Sequence, residues 1–302
     1  MSVNVNFPSV DVIILNWNLP EDTLQCVASV LKSDYPNYHV IVVDNGSTDD
    51  SCERFAAELP PGVDLLALPT NLGFGGGNNA AIRSSLADYT LLLNDDTIVA
   101  PDMISELITV MSCDPAIGVA GPMIYYADAP ESLWFAGMRF WKKLYILQRG
   151  LHLRGPLQRA EYVDFVSGCG LCARRTVWEQ VGLFAPEFFM YYEDLDFSLR
   201  VKQAGFKLVT ATQSRMWHRV SASTGGIESP MKQYYQVKSS LIFYRKHTHG
   251  LWFMANMTLR IGHALWVTLK QTVKGGVRPA VAREYVRGVC EALRHAQAGT
   301  RP

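Results

Sequence analysis

Three short polar clusters in this sequence follow directly on apolar runs: Asn16-Trp17-Asn18 after VDVIIL, Asp44-Asn45-Gly46-Ser47 after HVIVV, and Asn94-Asp95-Asp96 after YTLLL. The consecutive carboxylates Asp95 and Asp96 repel one another unless a cation lies beside them. A hard divalent ion bridging to substrate phosphates is therefore one reading, and a loop opening before the next helix is the other. Asp44 could accept hydrogen bonds from a ribose or a pyrimidine N–H, although Asp-Asn-Gly-Ser is equally good turn chemistry. Further along, Glu193-Asp194-Leu195-Asp196 opens a helix after the aromatic run Phe188-Phe189-Met190-Tyr191-Tyr192. Acidic residues there complement the helix dipole. A carboxylate against aromatic walls also suits general-base work, because its ionised form is less solvated. Asp194 and Asp196 lie two apart and face different directions, so one can serve a site while the other supports structure. His218 falls in a polar stretch, Met216 to Gly226, expected as a loop. A neutral imidazole there is either a further ligand for Mn or Mg or simply solvated.

The elements that must hold these groups alternate between short β-branched runs and helical patterns, the signature of a parallel sheet with crossover helices. Strands are expected at 10–15, 39–43, 63–68, 89–93 and 118–126, and helices at 21–31, from the 44–48 turn to about 59, and after Pro101. Asn71 to Asn79 (NLGFGGGNN) reads as a glycine-rich turn into a helix ending near Leu86. Residues 131–165 read as irregular or hairpin structure. From Arg174 the pattern turns mostly helical, with helices at 175–181 and 193–204 and three longer stretches after Pro230. In open sheets of this kind ligands bind beyond the carboxyl ends of the strands, which is where the three polar clusters fall.

The chain has 302 residues, 48% hydrophobic and 19% charged, enough for a large core in one or two domains. Lys plus Arg and Asp plus Glu both total 28, which argues against a uniformly basic nucleic-acid binder, so no nucleic-acid partner is expected. The charge is nonetheless segregated. Residues 1–199 carry 11 basic and 25 acidic side chains, whereas residues 200–302 carry 17 basic and 3 acidic. Six scattered cysteines and a start, MSVNVNFPSV, without a basic segment and apolar stretch lead to the expectation of a reduced, cytoplasmic protein. Cys169-Gly-Leu-Cys172 has redox or metal spacing but no second pair, so two small buried residues are the expectation. In the stretch Leu251 to Lys274, Asn256, Arg260, His263, Lys270 and Lys274 fall on one helical face, opposite Leu251, Trp252, Met254, Leu259, Leu265, Trp266 and Leu269. Arg260 and His263 would be costly near a bilayer centre. An amphipathic helix peripheral on the inner face of the cell membrane, or one packed on the protein's own core or on a second subunit in a homodimer, is expected instead of a membrane span.

The motifs VIILNWN, VVDNGSTDDS, NLGFGGGNN, LLLNDDT, GCGLCARR, FFMYYEDLDFSLR and WHRVSASTGG, in this order, resemble the family 2 glycosyltransferases, most closely their rhamnosyltransferase-type branch. The resemblance spans about residues 10 to 245. It implies a GT-A fold: an α/β, Rossmann-like, mostly parallel central sheet with flanking helices, here with a helical C-terminal extension. Residues 1–245 would form the nucleotide-sugar transferase domain and 246–302 a basic amphipathic extension. Carried over position by position, it implies a nucleotide-sugar site at Asn16, Asp44, Asn71, Gly73, Asn79 and Asp95. It further implies Mn2+ or Mg2+ held by Asp96 and His218, a base at Asp194 with Glu193 as its acidic neighbour, and Gly168 on the acceptor side. The first residue of the metal motif is Asn94, where many members carry Asp. The implied activity is inverting transfer of a sugar, L-rhamnose from dTDP-L-rhamnose being favoured, to a bacterial surface glycan or lipid-linked acceptor. A UDP-hexose donor and a non-catalytic glycan- or nucleotide-binding role are the alternatives.

Other classes fit less well. A nicotinamide-dependent oxidoreductase needs a G-x-G-x-x-G cradle after the first strand, and Leu15-Asn-Trp-Asn-Leu-Pro20 has no glycine. A processive synthase is disfavoured by the lack of long apolar spans and of a Q-x-x-R-W motif.

Overall fold

The computed structural model describes residues 7–141, 146–148, 158–219, 230–259, 262 and 279–298. Its first half follows the expected alternation. Strands β1 (Val10–Asn16), β2 (Tyr38–Asp44), β3 (Val63–Ala67) and β4 (Tyr89–Asn94) run parallel in the order β4-β1-β2-β3. They are linked by helices α1 (Pro20–Val30), α2 (Ser51–Glu58) and α3 (Gly73–Ser84). Alternate residues of β1 serve opposite faces: Val12 and Ile14 join one buried cluster, Ile13 and Leu15 another. A strand covered on both faces favours a near-continuous apolar run, which is why Val12 to Leu15 do not alternate with polar residues. Pro20 opens α1, where its missing N–H costs nothing. Asn16 pairs with Asp44 and Leu15 with Asn94, so the three polar clusters leave the sheet side by side.

The glycine-rich segment differs from expectation, because α3 begins at Gly73 itself and the glycines form its first turns. Gly73 sits at φ +75°, and a Cβ there would collide with the Phe189 carbonyl oxygen. Glycine is required for close approach of the chain's own 188–192 segment, with Phe74 N–H donating to Phe189 O at 2.8 Å.

The second half adds β5 (Thr97–Val99), α4 (Met103–Cys113), β6 (Ile117–Tyr126), β7 (Leu133–Phe135), a small hairpin of β8 (Arg139–Trp141) and β9 (Ile146–Gln148), and β10 (Ala160–Val163). There follow β11 (Gly170–Arg174), α5 (Arg175–Val181), α6 (Glu193–Gln203) and β12 (Lys207–His218). The complete sheet runs β10-β12-β6-β11-β4-β1-β2-β3, with β5 on β12 and β7 on β6. Here the expectation of mostly helical structure after Arg174 is corrected. β12 is a twelve-residue core strand parallel to β6. Its polar residues hid it: Thr210, Thr212 and Ser214 are buried, and their hydroxyls donate to the carbonyls of Ala136 (2.8 Å), Gln158 (2.7 Å) and Met103 (3.0 Å). A buried hydroxyl with a partner costs little, so hydropathy alone cannot exclude it from a core. His218, expected in a loop, ends this strand; Val220 to Gly226 lie outside the described residues.

Helix α7 (Pro230–His247) continues through the expected 245/246 boundary, and α8 (Pro279–Ala298) packs on it. The Tyr234 hydroxyl donates to Glu291, and Gly288 lies flush against Val237 and the Tyr234 carbonyl. Residues 250–259 are helical, but the expected polar face is not solvated at its first position. Asn256 is buried at 2% exposure, whereas Leu251 (80%), Met254 (59%) and Leu259 (58%) are exposed. The short amide donates to Trp252 O at 2.9 Å, a bond one turn back that lets it be buried cheaply. Arg260, His263, Leu265, Trp266, Leu269, Lys270 and Lys274 lie outside the described residues. Among the described residues no helix is long and apolar enough to cross a membrane.

Candidate active site

At the carboxyl edge of β4 the chain turns through Asp95 and Asp96 into β5, and β5 pairs antiparallel with the end of β12, Thr97 opposite His218. The ladder continues as Arg219 N–H donates to Asp96 O at 2.9 Å. That pairing brings Asp96 Oδ1 to 3.0 Å from His218 Nε2, both side chains nearly inaccessible. The contact is close but not aligned as a hydrogen bond, and both Asp96 Oδ1 and His218 Nδ1 are buried without a hydrogen-bond partner. Asn94 Oδ1 beside them is likewise unsatisfied. Buried polar atoms of this kind imply a missing partner. A carboxylate oxygen and an imidazole are suitable donors for Mn2+ or Mg2+. Among the described residues no group of three or more His, Cys, Asp or Glu could hold a metal alone. The donor set therefore fits a cation that takes its remaining ligands from water and a substrate diphosphate, as Mg2+ commonly does.

A cavity of about 330 Å³ opens over this pair and is also lined by Trp134, Gly168, Glu193, Asp194 and Lys232. Asp194 projects from the first turn of α6. Its Oδ2 accepts the Gly168 N–H at 3.0 Å and its Oδ1 the Leu195 N–H at 2.8 Å. Burial lifts its carboxyl to about 6, those N–H bonds offsetting part of the rise. It is thus ionised at neutral pH yet far more basic than a solvated aspartate, as a general base requires. Glu193 is pushed well above the usual range, by burial first and by Asp194 second, and its Oε2 has no partner. Gly168, expected on the acceptor side, lines the same cavity, and its N–H fixes the orientation of Asp194. A Cβ there would press to 2.8 Å on the Phe74 ring.

A second, smaller hollow adjoins the first, lined by Trp17, Asn45, Asn71, Gly73 and Asp95, with Phe74 and Asn94 common to both. Burial, and then the neighbouring Asp96, push Asp95 well above the usual carboxylate range. Asn45 holds the loop above it: its Nδ2 donates to Asn71 Oδ1 (3.0 Å) and Gly73 O (3.1 Å), and its Oδ1 accepts from Leu72 N–H (3.0 Å). Asp44, next to Asn45, is buried and lines neither hollow, accepting from Asn16 Nδ2 at 2.8 Å and Ser47 Oγ at 2.5 Å. Asn16 is fully buried, its Oδ1 accepting from Thr23 Oγ1 at 2.9 Å, while its neighbours Leu15 and Trp17 line the hollow. Asn79 is not brought to either hollow. Its amide makes a two-way bridge to the backbone of Phe184, at 2.9 and 3.1 Å, which ties α3 to the segment before α6.

Sequence reasoning passed over Trp134 and Lys232, both of which line the larger cavity, as does Tyr191 of the expected aromatic run. Trp134 meets His218 edge to face at 4.7 Å. It lies in the 131–165 region, where no periodicity marked a strand. Cys169 and Cys172 are buried free thiols, and burial raises both, Cys172 to about 12, so they behave as small core residues.

A family model described as "Glycosyltransferase like family 2" matches residues 8–235. The chain is 27% identical over 273 residues to the N-acetylglucosaminyl-diphospho-decaprenol L-rhamnosyltransferase of Mycobacterium tuberculosis, covering 81% of this chain and 86% of that one. It is 37% identical over 221 residues to an N-acetylglucosaminyltransferase of Bradyrhizobium diazoefficiens, covering 66% of this chain and 42% of the other. Some curated relatives are much longer, and the chain spans only 24% of one of them. Among solved structures it is similar to GalNAc-T7 with UDP, GalNAc and Mn2+ (TM-score 0.64, 18% identity, 80% of this chain and 48% of that one). It is also similar to the mannosyltransferase PcManGT of Pyrobaculum calidifontis in complex with GDP-Man and Mn2+ (TM-score 0.59, 13% identity, 96% and 88%). At these identities the structures speak to the fold, which is the GT-A architecture expected from the motifs.

Proposed function

Given that this chain belongs to the family described as Glycosyltransferase like family 2 and is a glycosyltransferase, we propose that it transfers a sugar from a nucleoside-diphosphate donor to an acceptor hydroxyl in one inverting displacement. The observation that carries this reading is the meeting, in one cavity, of Asp194 with the unsatisfied Asp96 and His218. The nucleoside would lie in the hollow under Asn71 and Gly73, whose lining residue Asn45 adjoins Asp44. Asp96 and His218 would hold Mn2+ or Mg2+, which when bound neutralises charge on the departing diphosphate. Asp194 takes the proton from the acceptor hydroxyl as it attacks the anomeric carbon, with the Gly168 N–H keeping the carboxylate aimed into the cavity. Trp134 supplies an apolar wall that excludes water from the reacting centre. Since no covalent nucleophile is used, configuration inverts.

The similarity to the mycobacterial rhamnosyltransferase supports dTDP-L-rhamnose as donor and a lipid-diphosphate-linked saccharide as acceptor. The similarity to an N-acetylglucosaminyltransferase supports a UDP-sugar as the second reading. The exposed Leu251, Met254 and Leu259, in a chain whose last third is strongly basic, support peripheral contact with an anionic membrane carrying that acceptor. Thermal stabilisation by a panel of nucleotide sugars, with Mn2+ and with chelator, tests the donor. Metal-dependent stabilisation by dTDP-L-rhamnose above that by UDP-sugars is expected, and the reverse order selects the second reading.

A further inference from the structure

Helix α7 lies along the whole segment that delivers the base. Starting from its N-terminal end, Lys232 lines the active-site cavity and is, among the described residues, its one lining Lys or Arg. One turn on, Tyr235 stacks on Phe189 with ring centres 4.8 Å apart. Ser239 Oγ then donates to Met190 O at 2.8 Å. Phe243 packs on Tyr192 at 5.5 Å. At the far end Lys246 Nζ lies 3.0 Å and His247 Nε2 2.7 Å from the same oxygen, Asp196 Oδ1, while Arg200 Nε donates to Oδ2 at 2.8 Å. A carboxylate can only accept, so His247 donates through Nε2. Asp196 is wholly buried and His247 nearly so.

The segment held in this way cannot set its own shape. Tyr191 and Tyr192 have φ of 66° and 73°, two successive left-handed residues that both carry a Cβ. Such a conformation persists only where its surroundings impose it. Asp196 and Asp194 are two apart on α6 and so point to different sides of it. Clamping Asp196 to α7 on one side therefore sets the rotation that turns Asp194 toward Gly168 on the other. The contacts of Ser239, Phe243, Lys246 and His247 all fall beyond residue 235, where the family match ends.

We propose that α7 is part of the catalytic apparatus and that Asp196 and His247 are positioning residues, whose contact holds the start of α6 in the setting that aims Asp194 into the cavity. This rests on the reading of Asp194 as base, and the test separates the two. Carboxyl-13C NMR of aspartate-labelled protein follows Asp194 without any substrate, the resonance being assigned by its loss in Asp194→Asn. In parallel, turnover is measured with dTDP-L-rhamnose and N-acetylglucosaminyl-diphospho-decaprenol. In His247→Ala the Asp194 midpoint, about 6 in the native setting, should move toward the ordinary carboxylate range as the base becomes hydrated. kcat should fall about 10-fold with donor KM within twofold, as misplacement of a base predicts. His247→Gln, which keeps a donor to Asp196, should recover much of both. Added to Asp194→Asn, His247→Ala should cost less than a further twofold, because the group it positions is already gone. An unchanged midpoint in a folded His247→Ala protein overturns the proposal, however much its melting temperature drops. Full turnover by Asp194→Asn, with the midpoint still moved by His247→Ala, overturns the assignment of the base and leaves the positioning contact standing.

Discussion

Asp96 and His218 are 122 positions apart in sequence and 3.0 Å apart in space because Thr97 and His218 are ladder partners in the β5–β12 pair. Neither strand is optional for the site. β5 is three residues long and exists only as an edge on β12, so the polar turn Asp95-Asp96 is pinned between the end of β4 and that edge. Both side chains are then buried with atoms lacking a partner, a cost that a bound cation would remove.

Metal should therefore raise nucleotide affinity. Calorimetry with dTDP or UDP in Mn2+ should give binding at least tenfold tighter than in excess chelator. Asp96→Asn should remove most of that difference. Equal affinity with and without metal would take Asp96 out of the role assigned to it.

Turnover should depend on the ionised form of Asp194, whose carboxyl is held at about 6 by burial. The rate should rise with pH through about 6 and level off above it. Asp194→Asn should lower kcat roughly 100-fold or more, the low end for loss of a general base. Nucleotide affinity should change little. Loss of nucleotide binding with turnover intact would make Asp194 a binding residue.

Asp196 should matter for stability in a particular pH window. Burial opposes its charge, but the His247 hydrogen bond and the Arg200 and Lys246 charges outweigh that and hold its carboxyl at about 2, below the ordinary aspartate value of 3.8. A depressed carboxyl stabilises the fold above its unfolded value and loses that contribution as pH falls through the folded one. About 2 kcal/mol should accordingly be present above pH 4 and fade toward pH 2. Urea melts of Asp196→Asn against the native chain should differ at pH 6 and converge in acid.

Gly73→Ala should be poorly tolerated, since both the positive φ and the Phe189 carbonyl exclude a Cβ. The expected result is a fall in melting temperature together with weakened nucleotide binding. By contrast Gly182, also at positive φ but with open space around its Cβ position, should lose only the backbone-conformation cost of about 1–3 kcal/mol on the same change. A Gly73→Ala protein as stable as Gly182→Ala would contradict the packing argument.

Replacing Leu251, Met254 and Leu259 together by Ser should leave the fold intact, because all three are exposed. If the helix docks on membrane, sedimentation with vesicles containing phosphatidylglycerol should fall for this variant and fall for the native chain in high salt. Salt-insensitive self-association lost in the variant, with no vesicle binding, would assign the same surface to a second copy of the chain.

Much of the first half was legible because its signals are local. Two-face burial gives β1, β2 and β4 continuous apolar runs at 12–15, 40–43 and 91–93, and turn chemistry marks their ends, so both the strands and the polar clusters beyond them could be read directly. Asp95, Asp96, Glu193 and Asp194 were identifiable in the same way, as charges placed just past an apolar or aromatic run. β12 was not legible, because its Thr and Ser hydroxyls are satisfied by carbonyls of distant segments, and no window of sequence contains those partners. Asn256 misled for a similar reason: its amide bonds to its own helix, so a polar residue faces inward while leucines face out.

By itself the sequence determined the order of alternating elements, the carboxyl-edge location of the polar clusters and the family's motif series, all of which depend on neighbours within a few residues. Tertiary structure alone decided which clusters meet. Strand register brought His218 onto Asp96, a glycine N–H from before β11 turned Asp194 into the cavity, and an Asn79 bridge that motif order placed at the nucleotide became a structural tie to Phe184. The physical reason is that burial and pairing of a polar atom depend on partners more than a hundred residues away, and only the folded chain supplies them.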